Sequence, residues 1–337
     1  MAPSAATRRR FDGLVLILSK SDIAGAVGMK QAVESVENAF EQIGLGFAVT
    51  PARPSVEVAR YNATLLIGCG YLSRGEALVV KVATSYPDNA KLGLATVGSI
   101  LALFDPGTGE LLALMEGSYL TAIKTGAEGA VGAKWLARKN SRRVGIIGTG
   151  IQGEAQLWGL VETLKIDEAL VYSRNEDRRR AFSDMATERF GIQVRATKSP
   201  EEAAVESDIV VAATTSATPV FKGESLKEGV HITGVGSFTP RMRELDGVTI
   251  ERAKRVFVDN SEAAEVGDLK MAMDEGRLER GSIIHLSEVV TGRVVGRRDE
   301  SEITLFKSVG GAAYDAAVAK VTYDLAVTKG WGRKIQL

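Results

Sequence analysis

Residues 143–153 read Arg143-Val144-Gly145-Ile146-Ile147-Gly148-Thr149-Gly150-Ile151-Gln152-Gly153, an apolar strand that runs into G-x-G-x-x-G and then into a helix-compatible segment. No other stretch restricts the fold as much. Gly148 permits the tight turn between strand and helix, Gly150 lets backbone amides approach a pyrophosphate, and Gly153 lets the helix pack closely on the strand. The helix N-terminus adds partial positive charge where phosphate oxygens would lie. In a chain with 36 glycines the bare pattern carries little weight, so its meaning comes from the strand before it and the helical residues 154–164 after it.

Downstream, strand-like segments at 143–148, 169–172, 192–195, 208–212, 230–235 and 255–258 alternate with helical ones, which predicts a doubly wound parallel sheet of the Rossmann type. Upstream, Val33, Val36, Phe40 and Ile43 recur at helical spacing before Gly44. Apolar runs at 65–67, 77–82, 94–104 and 111–115 follow, with Asp105-Pro106-Gly107-Thr108-Gly109 as a turn between the last two. These predict a mostly antiparallel sheet in an α+β module, followed by a long helix over 118–138. A last helical stretch, 310–328, predicts that the chain returns to the first module. The expected division is 1–130 with 312–337 as one domain and 131–311 as the dinucleotide-binding domain.

Forty-two basic residues balance 42 acidic ones, so no net field recruits nucleic acid or an anionic membrane, and a small-molecule partner is expected. The single Cys69 excludes an intrachain disulfide and a multi-cysteine zinc site, and no metal is expected. Arg8-Arg9-Arg10 precedes only the short apolar run 14–18, too short for a signal segment or a membrane span. The expected location is the cytoplasm, with the first ten residues as a frayed tail.

The second strand of the nucleotide unit ends in Ser173-Arg174-Asn175. An acid there would bind both ribose hydroxyls, whereas a basic residue can accept a 2′-phosphate, so the cofactor is expected to be NADP in preference to NAD. The competing reading makes Arg174 the start of a solvated charge run, 174–180. Ala213-Thr214-Thr215-Ser216 and Val235-Gly236-Ser237 end the next two strands, where such sheets bind ligands, and Gly236 would leave room for a nicotinamide ring. Both are equally consistent with ordinary turns.

With these segments in order, the chain resembles the ornithine cyclodeaminase and mu-crystallin family. The resemblance rests on Val80-Lys81-Val82, Thr108-Gly109-Glu110, Leu120-Thr121-Ala122-Ile123-Lys124-Thr125-Gly126-Ala127, the glycine loop, Pro240 with Met242-Arg243-Glu244-Leu245-Asp246, and Phe306-Lys307-Ser308-Val309-Gly310. It implies a homodimer whose first domain, completed by the C-terminal helix, forms the dimer interface and the substrate floor. It implies further cofactor contacts at Thr125, Thr149, Ile151, Gln152, Ser308 and Gly310. The substrate carboxylate is expected against Arg53, Lys81 and Lys124. Converging positive charges suit a carboxylate in a partly dry cleft. The competing readings are an exposed loop position for Arg53, between Pro51 and Pro54, and a sheet-edge position for Lys81.

The sequence departs from the family pattern twice. Lys124 stands where the family commonly has arginine, which turns a planar clamp into a point charge. Phe238, in Gly236-Ser237-Phe238-Thr239-Pro240, stands where the cyclodeaminase branch has its catalytic aspartate, and a phenyl ring cannot exchange protons. The reductase and dehydrogenase branches therefore fit better. The expected reaction is hydride transfer to the imine carbon of a small carboxylate-bearing imino acid, formed from a keto acid with ammonia or an amine or already cyclic, with Lys81 as general acid or base. Rival readings are a redox-neutral cyclodeaminase and a non-catalytic NADP-binding crystallin-like protein. His231 and His285 are expected to be structural.

Overall fold

The computed structural model describes residues 13–336, built around two eight-stranded sheets. The basic run Arg8 to Arg10 lies outside the described residues.

In the first sheet the strands Ala63–Leu72, Ala77–Ser85, Val97–Phe104 and Leu111–Glu116 form an antiparallel meander. Asp105 accepts from the Gly107 and Thr108 amides at 2.8 and 3.0 Å, closing the expected turn. Ser55–Val58 and Ala48–Val49 pair with Ala63–Leu72 on the outside. The sheet is not purely antiparallel. Leu14–Leu18, read from the sequence only as a short apolar run, pairs parallel with Leu111–Glu116 and antiparallel with Arg333–Gln336.

The pleat sorts this sheet into two faces. Gly68, Lys81, Leu101 and Met115 form one cross-strand row, and Leu101 and Met115 are buried together with Val79 and Leu103. Lys81 is the only charged member of that inward row. The inward face is covered by the helices Met29–Gly44 and Ala312–Lys329, which meet where the Phe40 and Tyr314 rings lie 4.5 Å apart. Val33, Val36 and Phe40 are all buried, as their spacing requires.

The second sheet is wholly parallel, in the spatial order Gln193–Ala196, Glu168–Tyr172, Arg143–Ile147, Ile209–Ala212, His231–Gly234, Thr304–Lys307, Arg255–Val258, Ile283–His285. The strand order reverses between Arg143–Ile147 and Ile209–Ala212, the switch point where such sheets bind ligands. Thr304–Lys307, which periodicity did not identify as a strand, lies in the sheet interior between two strands that precede it in sequence.

Two helices link the sheets. Gly117–Leu136 is capped by Glu116, whose carboxylate accepts from the Ser118 and Tyr119 amides at 2.8 Å. It crosses Ile151–Thr163 at backbone contact: a Cβ on Gly126 would lie 2.3 Å from the Ala155 carbonyl, and one on Gly159 2.5 Å from the Gly126 carbonyl. Among the described residues no helix is long and apolar enough to cross a membrane.

His231 is fully buried between Thr304 Oγ1 at 2.9 Å and Thr233 Oγ1 at 3.1 Å, and burial pushes its pKa down to about 3. The folded chain keeps the ring neutral while the unfolded chain protonates it near pH 6.5. Its contribution is therefore present above pH 6.5 and lost as the pH falls toward 3. Denaturant titrations of wild type and His231→Gln test this. The stability difference in favour of wild type shrinks by at most about 1.4 kcal/mol per pH unit across that window.

Candidate functional site

The glycine loop is a cradle. Gly148 has a φ of +110°, and a Cβ there would lie 2.3 Å from the Ala213 carbonyl. A Cβ on Gly153 would lie 1.9 Å from the Gly148 carbonyl, so the helix sits directly on the turn. Gly150, the N-cap of Ile151–Thr163, has nothing within 4 Å of where its Cβ would be. Thr149 and Gly150 thus line open space before a helix N-terminus, and Ile151 is exposed beside them. A dinucleotide pyrophosphate fits this open, amide-lined turn. Gln152 follows in the first turn, where its Oε1 is buried without a partner.

Ser173, Arg174 and Asn175, expected at the adenosine end, follow the strand Glu168–Tyr172. Asn175 caps Glu176–Phe190, accepting from the Arg178 amide at 2.8 Å, and Ser173 Oγ donates to the Asn175 carbonyl at 3.0 Å. Arg174 is exposed and has no hydrogen-bond or ion-pair partner among the described residues.

A buried polar cluster ties together the loops that follow the next strands. Glu244 accepts from the Thr214 amide and, at 2.8 Å, from the Ser237 amide. Asp268 accepts from the Glu244 and Leu245 amides at 2.7 and 3.0 Å. The Lys307 ammonium lies 3.0 Å from Asp268 and donates to the Ser237 carbonyl at 2.6 Å. Burial raises the Glu244 pKa, with Lys307 opposing. Gly236 serves a different end from the one its sequence suggested. A Cβ there would strike the Thr214 carbonyl at 2.1 Å and the Glu244 carboxylate at 2.5 Å, so the missing side chain admits the neighbouring loop, not a ring. Val235 is buried, its amide on the Ala212 carbonyl at 2.9 Å, while Thr215 and Ser216 continue the loop from Ala213 and Thr214. Phe238 is exposed beyond them.

The cations Arg53, Lys81 and Lys124 arrive from three elements. Lys81 stands in a strand paired on both sides, which removes the sheet-edge reading. Its ammonium lies 3.1 and 3.4 Å from the two carboxylate oxygens of Asp315, in the first turn of Ala312–Lys329. Side-chain exposure is 13% for Lys81 and 7% for Asp315. Arg53 packs its Cδ about the Cβ position of Gly68, Lys81's cross-strand neighbour, and its guanidinium pairs with Glu262 beyond the Arg255–Val258 strand. Lys124 is nearly enclosed, with 3% side-chain exposure, and donates to Glu128 at 2.9 Å. Gly310, at φ +76°, approaches it so closely that a Cβ would lie 2.5 Å from the ammonium.

The electrostatics follow from this enclosure. Burial lowers the Lys81 pKa, Asp315 opposes that and Lys124 reinforces it. Burial works against the Asp315 carboxylate, but Lys81, Lys124 and Arg53 hold its pKa below the usual value. For Lys124 burial is outweighed by Glu128, Asp315 and Asp259, and its pKa rises. Burial pushes Glu128 up to about 7. Ser308 Oγ lies 2.8 Å from Glu128 Oε2 and 3.1 Å from Asp259 Oδ2. Asp259 also accepts from the Val309 and Gly310 amides at 2.9 and 2.6 Å, and Thr125 offers its carbonyl to Gln156 at 2.7 Å. Residues 308–310 thereby join the cation cluster to the end of the parallel sheet.

The acids Asp315, Glu128, Asp259 and Glu262 were missed by sequence reasoning. Only Glu128 carried a signal, four residues beyond Lys124 on one helix face. Among the described residues no cluster of His, Cys, Asp or Glu is arranged to hold a metal.

A model of the ornithine cyclodeaminase/mu-crystallin family matches residues 15–330. Delta(1)-pyrroline-2-carboxylate reductase of Bacillus cereus is 39% identical over 326 residues, 96% of this chain and 100% of the relative. The same enzyme of Thermococcus litoralis, solved with NADH and L-proline, superposes with a TM-score of 0.92 at 42% identity, over 95% of this chain and 100% of its own. An archaeal alanine dehydrogenase dimer with bound NAD gives 0.90 at 35% identity, over 96% and 99%.

The Lys307 cluster generates a stability prediction. Lys307→Met leaves Asp268 and Glu244 buried without their cation and destabilises the fold by about 3–5 kcal/mol, read as a fall in chemical-denaturation free energy. A loss below about 1 kcal/mol would show that the pair contributes little.

Proposed function

The chain belongs to the ornithine cyclodeaminase/mu-crystallin family, and from that premise we propose that it reduces a small cyclic 2-imino acid, Δ1-pyrroline-2-carboxylate, to the amino acid. It is an NAD(P)-dependent oxidoreductase acting on the C–N bond of small 2-amino or 2-imino acids. The observation that carries the substrate assignment is the convergence of Arg53, Lys81 and Lys124, from separate elements, beside the loop that ends the nucleotide-binding sheet.

When bound, a reduced nicotinamide supplies the hydride for the imine carbon. The free amides at the N-terminus of Ile151–Thr163 would hold the pyrophosphate, and Ser173 and Arg174 would flank the adenosine ribose. Arg53 exchanges its partly exposed Glu262 partner for the substrate carboxylate at little cost, since exposed pairs are worth about 0–1 kcal/mol. Lys81 adds a second contact and holds the proton that the imine nitrogen receives. Lys124 contributes positive charge from beneath, its hydrogen bond being committed to Glu128. The domain division 1–130 with 312–337 and 131–311 belongs to the same reading: the first part orients the substrate and the second the dinucleotide.

We assign NADP as the preferred cofactor, on an unpartnered Arg174 beside Ser173 where an acid would favour NAD. We also infer a homodimer. Val80, Val82, Ala102 and Leu114 form a half-exposed apolar outer face around the exposed Ile100, and a second copy is the occupant that suits it.

Cofactor oxidation is followed with NADPH or NADH and Δ1-pyrroline-2-carboxylate, pyruvate with ammonium or methylamine, or glyoxylate. The cyclic imine gives the highest kcat/KM. Lys81→Ala lowers kcat about 10²-fold or more while dinucleotide binding persists. Arg174→Glu weakens NADPH at least about tenfold relative to NADH. Proline and ammonium formed from ornithine without net cofactor consumption would replace this reading with a cyclodeaminase. In light scattering the wild type runs at twice the chain mass and Ile100→Glu as a folded monomer; a monomeric wild type rejects the dimer.

A further inference from the structure

The mechanism above leaves one group at the site without a task. Asp315 is a carboxylate on the C-terminal helix, 234 residues from Lys81 in sequence, and both its oxygens lie within 3.4 Å of the Lys81 ammonium. Its place is fixed by backbone packing. A Cβ on Gly70 would lie 2.5 Å from the Ala312 carbonyl, so the start of the helix rests on the strand that pairs with Lys81's own. The Asp315 amide donates to the Gly311 carbonyl at 3.3 Å, which keeps the carboxylate in the first helical turn, where the dipole favours its charged form. No other acid contacts Lys81 among the described residues; Glu128 is committed to Lys124 and Ser308, and Glu262 to Arg53.

We propose that Asp315 is the positioning residue for proton transfer: it balances the Lys81 charge and directs that ammonium so that one N–H points to the substrate nitrogen. The proposal rests on the imine-reductase reading. In the step, hydride adds to the imine carbon and the C=N π electrons take a proton from Lys81 Nζ. One Lys81 N–H bond breaks, one substrate N–H bond forms, and the dinucleotide is oxidised as the imine is reduced. The neutral Lys81 amine then still donates a hydrogen bond to the Asp315 carboxylate until water returns the proton. The proton that moves is the one on Lys81; before the transfer Lys81, Lys124 and Arg53 hold the Asp315 carboxyl below its usual pKa, so Asp315 enters the step as the carboxylate.

The charges facing Lys81 are Asp315 from the C-terminal helix and Lys124 and Glu128 from the Gly117–Leu136 helix, with Arg53 acting on Asp315 in turn. Removing the one direct counter-charge leaves Lys81 facing Lys124. Asp315→Asn therefore moves the Lys81 ionisation to lower pH by about one to three units.

Two measurements test this, one independent of turnover. NMR titration of ¹³Cε-labelled lysines, with the Lys81 signal identified by its loss in Lys81→Met, reads the ionisation directly in the NADPH-bound protein. The pH profile of kcat/KM for imine reduction reads the same group in action. In Asp315→Asn both inflections move down together, and kcat falls with KM for the imine little changed. Asp315→Glu restores the wild-type inflection but, with the longer arm misdirecting the ammonium, lowers kcat. An unmoved Lys81 signal in Asp315→Asn, or an unmoved profile, overturns the proposal; so does Asp315→Glu with full kcat, a test that remains if Asp315→Asn does not fold. Wild type inactive on every imine in the panel would instead overturn the reductase reading, while the Lys81 titration would still report whether Asp315 sets its charge.

Discussion

Bringing amines into a cleft that excludes most water costs several kcal/mol per charge unless each meets a counter-charge. The rest of the structure depends on how that cost is met. Lys81 occupies the inward face of a sheet whose other inward positions in its row are glycine, leucine and methionine, and its partner comes from the far end of the chain. Lys124 meets Glu128 one turn along its own helix, and Arg53 meets an acid carried by the parallel sheet. Each cation keeps N–H donors beyond those its acid partner takes, and the proposed carboxylate contact draws on these.

Neighbouring contacts hold the cation cluster and the glycine turn in fixed relation. Gly126 and Gly159 let the helix carrying Lys124 touch the backbone of the helix that starts at Gly150, and Ser308 bridges Glu128 to Asp259 at the end of the parallel sheet. Hydride transfer needs reacting atoms held near contact, and rigid helix packing achieves that more cheaply than flexible loops could. The Glu244, Asp268 and Lys307 cluster completes this frame by fixing the loops that would border the nicotinamide.

Much of this was legible in the residues. The glycine turn, the alternation after it and the meander before it are local patterns, and the structure reproduces them with small shifts: the expected strand at 94–104 begins at Val97, and the long helix ends at Leu136. Lys81 stood out because a lysine inside an apolar strand demands a partner. The partner itself was not legible, because Asp315 follows no spacing rule relative to residue 81. Gly236 was read by its freedom to leave space, when the space is filled by Glu244 and the Thr214 backbone. Thr304–Lys307 was passed over as a strand because its apolar run, Leu305-Phe306, is short and followed by Lys307 and Ser308, whose polar groups are satisfied by segments distant in sequence.

What the sequence determined by itself was the kind of the main elements, the glycine turn and the family, since hydrophobic period, glycine placement and motif order act over a few neighbouring residues. Only the tertiary structure decided which acid meets which amine, where Thr304–Lys307 inserts among its neighbours, and how Leu14–Leu18 and Arg333–Gln336 close the first sheet. Most of those choices are made by desolvation and backbone pairing between segments far apart in sequence, and such free energies exist only once the chain has folded.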